Sequence, residues 1–194
     1  MIITSLSDGD KPAIIDHLLR LSPQDRYTRF FVTLSEDLIR KYVTERVNPA
    51  KDGTFGVYDG DKLVAFVHIS NVDGEGRQRS AELGISINEG WRGQHIARAL
   101  MQRAMVRCKA ENITTLFMSC LSQNVKMQQL AKSCGMRVVS EHGEAIADLQ
   151  LEQFPLDRHA CLRQETLYET ISLFDKTFRY NSQLAKVLFS PVYS

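Results

Sequence analysis

The stretch NEGWRGQHIARALM, residues 88–101, decides how the fold is read. It joins an alternating apolar pattern to a helical one through a connection that crowds Gly90, Trp91, Arg92 and Gly93 together. A connection that only reverses the chain needs turn residues and little else. The first N–H groups of a helix lack partners within the helix, and the helix dipole adds partial positive charge there. We therefore predict that this strand–loop–helix unit binds an anion.

The patterns on either side of the loop define a strand and a helix. In AELGISIN, residues 81–88, every second residue is apolar, which predicts a strand with Glu82 on its polar face. After the loop, apolar residues recur every three or four positions, which predicts an amphipathic helix of about four turns. Its basic residues, Arg103 and Arg107 among them, fall mainly on the opposite side.

The rest of the chain places helices before this unit and alternating strands and helices after it. Ser22 and Ser35 are predicted helix N-caps, and helices dominate up to about residue 47. Two β-rich runs then flank Asp59-Gly60, which favours a tight hairpin. In the second half, ITTLFMSCL predicts a buried strand, SQNVKMQQLAKSCG a helix, and MRVVS and EAIADLQLEQF two closing strands. The predicted fold class is α/β, with a mixed central sheet flanked by helices.

The C-terminal segment is predicted to be helical around ETLYETISLFDKTF. We divide the chain into a main domain, residues 1–155, and a helical extension, residues 156–194, packed on the same domain. The apolar residues of the extension are expected to dock on the body. Two roles stay open for it: it seals the sheet, or it forms the contact of a homodimer.

Length and charge narrow the classes of function. A chain of 194 residues that is 43% hydrophobic and 24% charged can bury a full core. With 24 basic and 23 acidic residues, the formal charge of +1 supplies no general attraction for nucleic acid or an anionic membrane. We expect neither partner. The start, MIITSLSDGDKP, is unlike a signal peptide and no long apolar run follows, so a cytoplasmic location is expected.

Cysteines and histidines show no metal-binding spacing. The cysteines are too far apart for a C-x-x-C pair and too few for a disulfide scaffold, so reduced, structural thiols are expected. No H-x-x-x-H or H-x-x-E-H arrangement occurs, and we predict no metal site. The residues concerned are Cys108, Cys120, Cys134, Cys161, His17, His68, His95, His142 and His159.

Two blocks of sequence resemble a known family. The anion loop lacks the glycine patterns of dinucleotide and nucleoside triphosphate sites. Residues 92–97, RGQHIA, instead resemble the pyrophosphate loop [QR]-x-x-G-x-[GA] of the GNAT superfamily of acyl-CoA-dependent N-acyltransferases, with His95 in place of the motif glycine. NVKMQQLAKSCGM, residues 124–136, resembles the family's N-x-x-[AM]-x-x-x-[YA]-x-x-x-G-[FM] helix. The resemblance spans roughly residues 53–140.

Within this superfamily, LSPQDRYTRFF and AELGISI are most similar to the acetyltransferase domain of bacterial protein lysine acetyltransferases. The resemblance implies transfer of an acetyl group from acetyl-CoA, directly and in a ternary complex, to a primary amine. The acceptor is a protein lysine or a small molecule. The walls of the acceptor site are expected at residues 23–47 and 72–79. A catalytically weak acyl-CoA sensor or protein-interaction module of the same fold is the alternative.

The resemblance also implies roles for individual residues. Asn124 would hydrogen-bond the pantetheine arm, and a backbone N–H near Ile85 or Ile87 would polarise the thioester carbonyl. Because histidine is enriched at positive φ, His95 is compatible with the loop, with altered geometry. The pyrophosphate would be bound by the amides of Arg92, Gly93, Gln94, His95, Ile96 and Ala97.

Glu82 is the candidate general base. An amine attacks a thioester only when unprotonated, and its ordinary pKa lies near 10, so the site must take a proton from it. A carboxylate, often through a water, can do this. Glu82 corresponds to the glutamate that the lysine-acetyltransferase-like relatives use; a solvated strand glutamate is the alternative. Many members carry a tyrosine as general acid where this chain has Ala131, so no acid is assigned. Arg98 and Lys126 are interpreted as surface charges. His68 is interpreted as a hydrogen-bonded strand histidine and Cys120 as a buried thiol.

Overall fold

The computed structural model describes residues 1–72, 79–153, 155 and 157–188. After a short first strand come three helices, then three strands, and then alternating helices and strands. The strands are β1 Thr4–Ser5, β2 Gly53–Asp59, β3 Lys62–Val72, β4 Ser80–Ile87, β5 Thr115–Leu121, β6 Arg137–Glu141 and β7 Glu144–Gln150. The helices are α1 Lys11–Leu19, α2 Pro23–Phe30, α3 Glu36–Arg46, α4 Ile96–Ala110, α5 Val125–Ser133 and α6 Arg158–Leu188.

The seven strands form one sheet in the order β1-β2-β3-β4-β5-β7-β6. Strands β2, β3 and β4 make an antiparallel meander, and only β4 and β5 pair in parallel among the described strands. A parallel pair needs a crossover, which α4 supplies. The predicted α/β class with a mixed sheet is confirmed.

The sheet has a hydrophobic layer on each face. On one face, α4 and the strands bury Leu83, Ile85, Leu100 and Met101, as the alternation of β4 and the period of α4 predict. On the other face, α1 and α3 bury Ile14, Ile39 and Val43 against Phe66 of β3. Glu82, Gly84 and Ser86 of β4 therefore lie on the face of α1 to α3, since successive strand residues point to opposite faces.

Local signals placed the helix starts correctly. The Ser22 hydroxyl accepts a hydrogen bond from the Asp25 amide at 3.1 Å, and the Ser35 hydroxyl accepts one from the Leu38 amide at 3.4 Å. Each hydroxyl satisfies an N–H that has no partner within the helix. The β2–β3 hairpin turns at Gly60, whose φ of 54° suits the predicted Asp59-Gly60 turn.

The contact between α6 and the body is partly apolar, as expected, and partly polar. Cys161 and Tyr168 of α6 pack against Val106 and Ala110 of α4. The Ser172 hydroxyl accepts from the Ser5 amide at 2.9 Å, and Asp175 accepts from the Thr4 hydroxyl at 2.7 Å. In contrast, Phe174 and Phe178 are each 74% exposed. Helical periodicity shows which side chains share a face, but it does not show which face meets the body.

Arg103 of α4 is buried, although the pattern puts it on the polar side of that helix. Its side chain is 1% exposed, and its guanidinium lies 4.2 Å from the Phe55 ring and 4.4 Å from the Tyr168 ring. It pairs with Glu165 and, at 3.2 Å, with Glu169 of α6. Because α6 covers this side of α4, a charge predicted to meet solvent is enclosed in a paired, stacked site.

Other expectations concern thiols, membranes and the loop after β3. All four cysteines are free, as expected for reduced thiols. None of the helices in the described ranges is long and apolar enough to cross a membrane. Most of the acceptor wall expected at residues 72–79 lies outside the described residues. The cytoplasmic location stays a prediction.

Candidate active site

A cavity of about 900 Å³ opens where β4 and β5 separate. The two strands pair from Ser80 to Glu82, but β4 continues to Ile87 without its neighbour. Helix α2, the loop after β4, and the starts of α4 and α5 complete the walls. Nine of the ten predicted site residues line this cavity, namely Glu82, Ile85, Ile87, Arg92, Gly93, His95, Ile96, Ala97 and Asn124. Gln94 does not line it.

The separated part of β4 presents free amides to the gap. The Asn88 amide donates to the Val64 carbonyl of the neighbouring chain segment at 3.0 Å, so this residue faces β3. Backbone groups alternate between the two edges of a strand. The N–H groups of Ile85 and Ile87 therefore face the β5 side, where pairing has ended. This orientation is the one that the predicted polarisation of a carbonyl requires.

The loop and first turn of α4 hold a run of unpaired amides. The N–H groups of residues 93–98 have no hydrogen-bond partner among the described residues. Gly93 has a φ of 77° and His95 a φ of 59°. Six successive donors at a helix start form a ready site for an anion of the size of a pyrophosphate. The Arg92 amide differs from the prediction, because it donates to the Glu89 carbonyl at 3.1 Å.

The Arg92 side chain fastens the loop to α2. Its Nε and Nη2 atoms both donate to the Ile87 carbonyl at 3.2 Å, and Nη2 lies 2.7 Å from Asp25. Although burial favours the protonated acid, hydrogen bonds from Arg92 and Ser22 keep the pKa of Asp25 below its ordinary value. The loop thus has a fixed position relative to the helix on the opposite wall.

His95 occupies the left-handed conformation that the family motif assigns to a glycine. With φ 59° and ψ 10°, it is the residue immediately before α4. A side chain in this region costs about 1 to 2 kcal/mol. His95 thus adopts the positive φ for which this residue type is enriched, and the amides that follow it have no partner among the described residues.

Asn124 caps α5 at the far wall of the cavity. Its side-chain oxygen accepts a hydrogen bond from the Met127 amide at 3.2 Å. The oxygen is therefore used by the helix, whereas the amide NH₂ group has no partner among the described residues. Ala131 of the same helix is 1% exposed and supplies no proton donor.

Glu82 is an exposed carboxylate on the wall of the cavity. It lies at the last paired position of β4, just before the two strands separate. The described residues give its side chain no ion pair or hydrogen bond. A free carboxylate beside the gap can accept a proton from a group that approaches from the face of α1 to α3.

Arg29 of α2 is a cavity residue that the sequence analysis missed. Its guanidinium lies directly over Gly84, so closely that a Cβ on that glycine would be 1.8 Å from Nη2. A glycine inside a strand pattern often marks a close approach of this kind, and Gly84 carried that signal. The residue that approaches Gly84 is Arg29 of α2, and the alternating pattern of β4 could not identify it.

His68 and Cys120 have structural environments, as predicted. His68 is buried and lies between Tyr42 and Asp52, and burial keeps its pKa below the ordinary value despite its bond to Asp52. Burial raises the pKa of the Cys120 thiol, which disfavours the nucleophilic thiolate. Arg98 and Lys126 also line the cavity. No group of three or more potential ligands for a metal ion occurs in the parts of the chain that the structure describes.

Comparison with known families identifies the fold. A model of the acetyltransferase (GNAT) family matches residues 15–136, more than half of the chain. The chain belongs to the GNAT acetyltransferase family. Membership implies acyltransferase activity, and acetyl-CoA is the donor that GNAT proteins use. The free amides of residues 93–98 and the gap between β4 and β5 fit a pyrophosphate followed by a thioester arm.

Solved structures show the same GNAT fold at low identity. The GNAT domain of S. lividans PAT is 16% identical with a TM-score of 0.65, covering 76% of this chain and 89% of that one. An N-acetyltransferase from Staphylococcus aureus Mu50 is 19% identical with a TM-score of 0.60, covering 77% and 98%. A chimera of spermidine N-acetyltransferase from Vibrio cholerae is 21% identical with a TM-score of 0.58, covering 79% and 98%. Curated protein sequences give no match.

Proposed function

We propose that this protein transfers an acetyl group from acetyl-CoA to a primary amine, on a protein lysine or a small molecule, by direct attack. The observation that carries the proposal is the run of six unpaired amides, residues 93–98, beside the gap between β4 and β5. The amides bind the diphosphate, and the gap receives the arm that ends in the thioester.

Glu82 and the β4 backbone carry out the transfer in this proposal. Glu82 takes a proton from the acceptor ammonium, directly or through a water. The free amine attacks the thioester carbon, a C–N bond forms and the C–S bond breaks. The second proton that the nitrogen loses passes to the departing thiolate or to solvent. The Ile85 or Ile87 amide donates to the oxygen that becomes negative. Ala131 cannot donate a proton to the leaving thiolate. The thiolate leaves without such help, because thiols have pKa values near 8.5. The Asn124 NH₂ group binds the arm.

Replacing Glu82 with glutamine tests the chemical step. Release of free coenzyme A is followed with a panel of amines and a lysine-bearing protein, and acetyl-CoA affinity is measured separately. We expect E82Q to lower turnover by about 100-fold or more at neutral pH with unchanged affinity. Glu141, exposed on the edge strand β6, provides the matched control E141Q, which should retain full turnover. Full turnover by E82Q would remove this residue from the mechanism.

A binding module is the second candidate function. Two departures from the family motifs favour it, namely His95 at the loop and Ala131 in place of a tyrosine. In this case the protein binds acetyl-CoA tightly and transfers nothing to any acceptor in the panel. The same assay therefore decides between the enzyme and the sensor.

We also propose that residues 156–194 belong to the same domain as residues 1–155 and that the outer face of α6 joins two copies of the chain. This face consists of the most exposed residues between Thr166 and Ala185, which are uncharged. Glu169, whose side chain is 43% exposed, is paired with Arg103. Interfaces are depleted of charge and enriched in aromatic residues, and an uncharged face cannot repel its own copy. Apolar members of the face are Leu167, Ile171, Leu173, Phe174, Phe178, Tyr180 and Leu184.

The hydroxyl groups of this face support its burial in a dimer. Thr166, Thr170 and Thr177 donate to carbonyls one turn earlier, at 3.0, 2.8 and 2.9 Å, so they lose no hydrogen bond when water is removed. Sedimentation over a range of concentrations should show a dimer, and F174D with F178D a monomer. If the wild type stays monomeric at the highest concentration, the proposal of a dimer is contradicted. This holds even if the monomer binds lipid vesicles through the same face.

A further inference from the structure

Arg29 is a cation built into the wall of the cavity. It belongs to α2, and its guanidinium covers Gly84 on the face from which an acceptor reaches the gap between β4 and β5. The guanidinium carbon lies 5.0 Å from the centre of the Phe30 ring, which supports it from below. The absence of a side chain at residue 84 is what makes this position available.

A chain of hydrogen bonds holds the guanidinium in place. Asp52 accepts from Nε2 of His68 at 2.9 Å, so Nδ1 of His68 accepts from the Tyr42 hydroxyl, also at 2.9 Å. Burial raises the pKa of Tyr42, and the contact of its oxygen with Arg29 partly offsets this effect. The phenol oxygen is thus free to accept from the guanidinium, and the negative end of the chain is Asp52.

Arg29 nevertheless has no carboxylate partner of its own. The described residues place no acidic side chain within 4.0 Å of it, and its buried Nε has no hydrogen-bond partner at all. In contrast, Arg92 on the same cavity is paired with Asp25. Because Arg29 lines the cavity without a carboxylate partner, its guanidinium can receive a carboxylate from a ligand there.

We propose that Arg29 binds a carboxylate that the acceptor carries close to its reactive amine. This inference rests on the proposed function and narrows its substrate class. Glu82 and Arg29 line the same cavity on one face of β4, which suits an acceptor with an ammonium and a carboxylate. A planar guanidinium can bind a carboxylate through two parallel hydrogen bonds. The same chemistry can come from a free amino acid or from an acidic residue beside a lysine in a peptide.

Matched acceptors test the carboxylate. The small-molecule arm compares alanine with alaninamide and lysine with lysinamide; the peptide arm compares two lysine peptides that differ by Glu or Gln beside the lysine. For each pair the ratio of kcat/KM, acid to amide, is measured in wild type and in R29Q. The different amine pKa values of acid and amide cancel when the ratios are compared. We expect the ratio to fall by about 10-fold or more in R29Q, in the arm that contains the true acceptor class.

Two further variants separate recognition from structure. G84A places a methyl group where Nη2 lies, so it should displace the guanidinium and lower the ratio as R29Q does. R40Q removes an exposed arginine of α3 and should leave the ratio unchanged. A merely structural role for Arg29 would lower kcat/KM equally for acid and amide, and an unchanged ratio in R29Q and G84A would overturn the inference.

A binding measurement keeps this inference separate from the proposed function. If wild type transfers acetyl to none of the acceptors, the amino acids and amides are titrated calorimetrically in the presence of coenzyme A. Binding of the acid alone, lost in R29Q, would support carboxylate recognition while the transfer reaction fails. Equal or absent binding of acid and amide would overturn the inference.

Discussion

Replacing Glu165 with glutamine removes the main charge partner of a buried arginine. Arg103 is 1% exposed and lies between two aromatic rings, and Glu165, which is 12% exposed, pairs with it and with Arg107. Breaking a buried pair costs about 3 to 5 kcal/mol, because the remaining charge stays away from water. Glutamine still accepts one hydrogen bond and the rings remain, so we expect the lower end, about 3 kcal/mol.

Thermal and urea unfolding measure this loss. For a chain of this size, about 3 kcal/mol corresponds to a fall in Tm of about 6 to 12 °C. Glu169 offers a matched control, because it contacts the same guanidinium at 3.2 Å but is 43% exposed. Exposed pairs contribute about 1 kcal/mol or less, so E169Q should shift Tm only slightly.

A double variant completes the test of the Arg103 site. Replacing both Arg103 and Glu165 with methionine removes both charges and fills the space with apolar groups, which should recover part of the stability that E165Q loses. The reasoning is refuted if E165Q is no less stable than E169Q. In that case the charge of Arg103 is compensated by its aromatic neighbours alone.

Three further predictions concern the loop, the core and the far wall of the cavity. H95G should raise the free energy of unfolding by about 1 kcal/mol, because glycine adopts positive φ without strain, and should keep affinity for coenzyme A; a loss of stability in urea melts would contradict this. Burial lowers the pKa of His17 from 6.5 to about 4, so the unfolded chain binds this proton first as the pH falls. Stability should therefore drop between pH 6.5 and 4 by about 3 kcal/mol in total, and H17Q should show a flatter pH profile. N124A removes the cap of α5 and should cost about 1 kcal/mol in stability, with weaker coenzyme A binding in calorimetry; unchanged values for both would exclude Asn124 from the site.

Features that depend on neighbouring residues were predictable from the sequence. The caps at Ser22 and Ser35, the turn at Gly60 and the strained His95 each follow from the chemistry of a few adjacent residues. The position of Glu82 on the polar face of β4 follows from alternation alone. The loop sequence likewise indicated a helix start with unpaired amides.

Features that depend on packing between distant elements were not predictable. Arg29 contacts Gly84 although the two residues are 55 positions apart in the sequence. The only sequence signal of this contact is a glycine within the strand pattern of β4. Arg103 was assigned to solvent because the period of α4 cannot show that α6 covers it. The apolar contact of Cys161 with α4 was expected, but the polar contact of Ser172 with Ser5 and the exposure of Phe174 could not be derived from the apolar pattern.

The ion pair between Arg92 and Asp25 makes the two halves of the cavity mechanically dependent. One partner belongs to the segment that we propose to bind the donor, and the other belongs to the helix that carries Arg29. A shift of that helix when an acceptor enters would displace the donor segment through this ion pair. A shift of the donor segment would displace the helix in the same way. Thermodynamic linkage then requires that any effect of one substrate on the affinity of the other be reciprocal and of the same size.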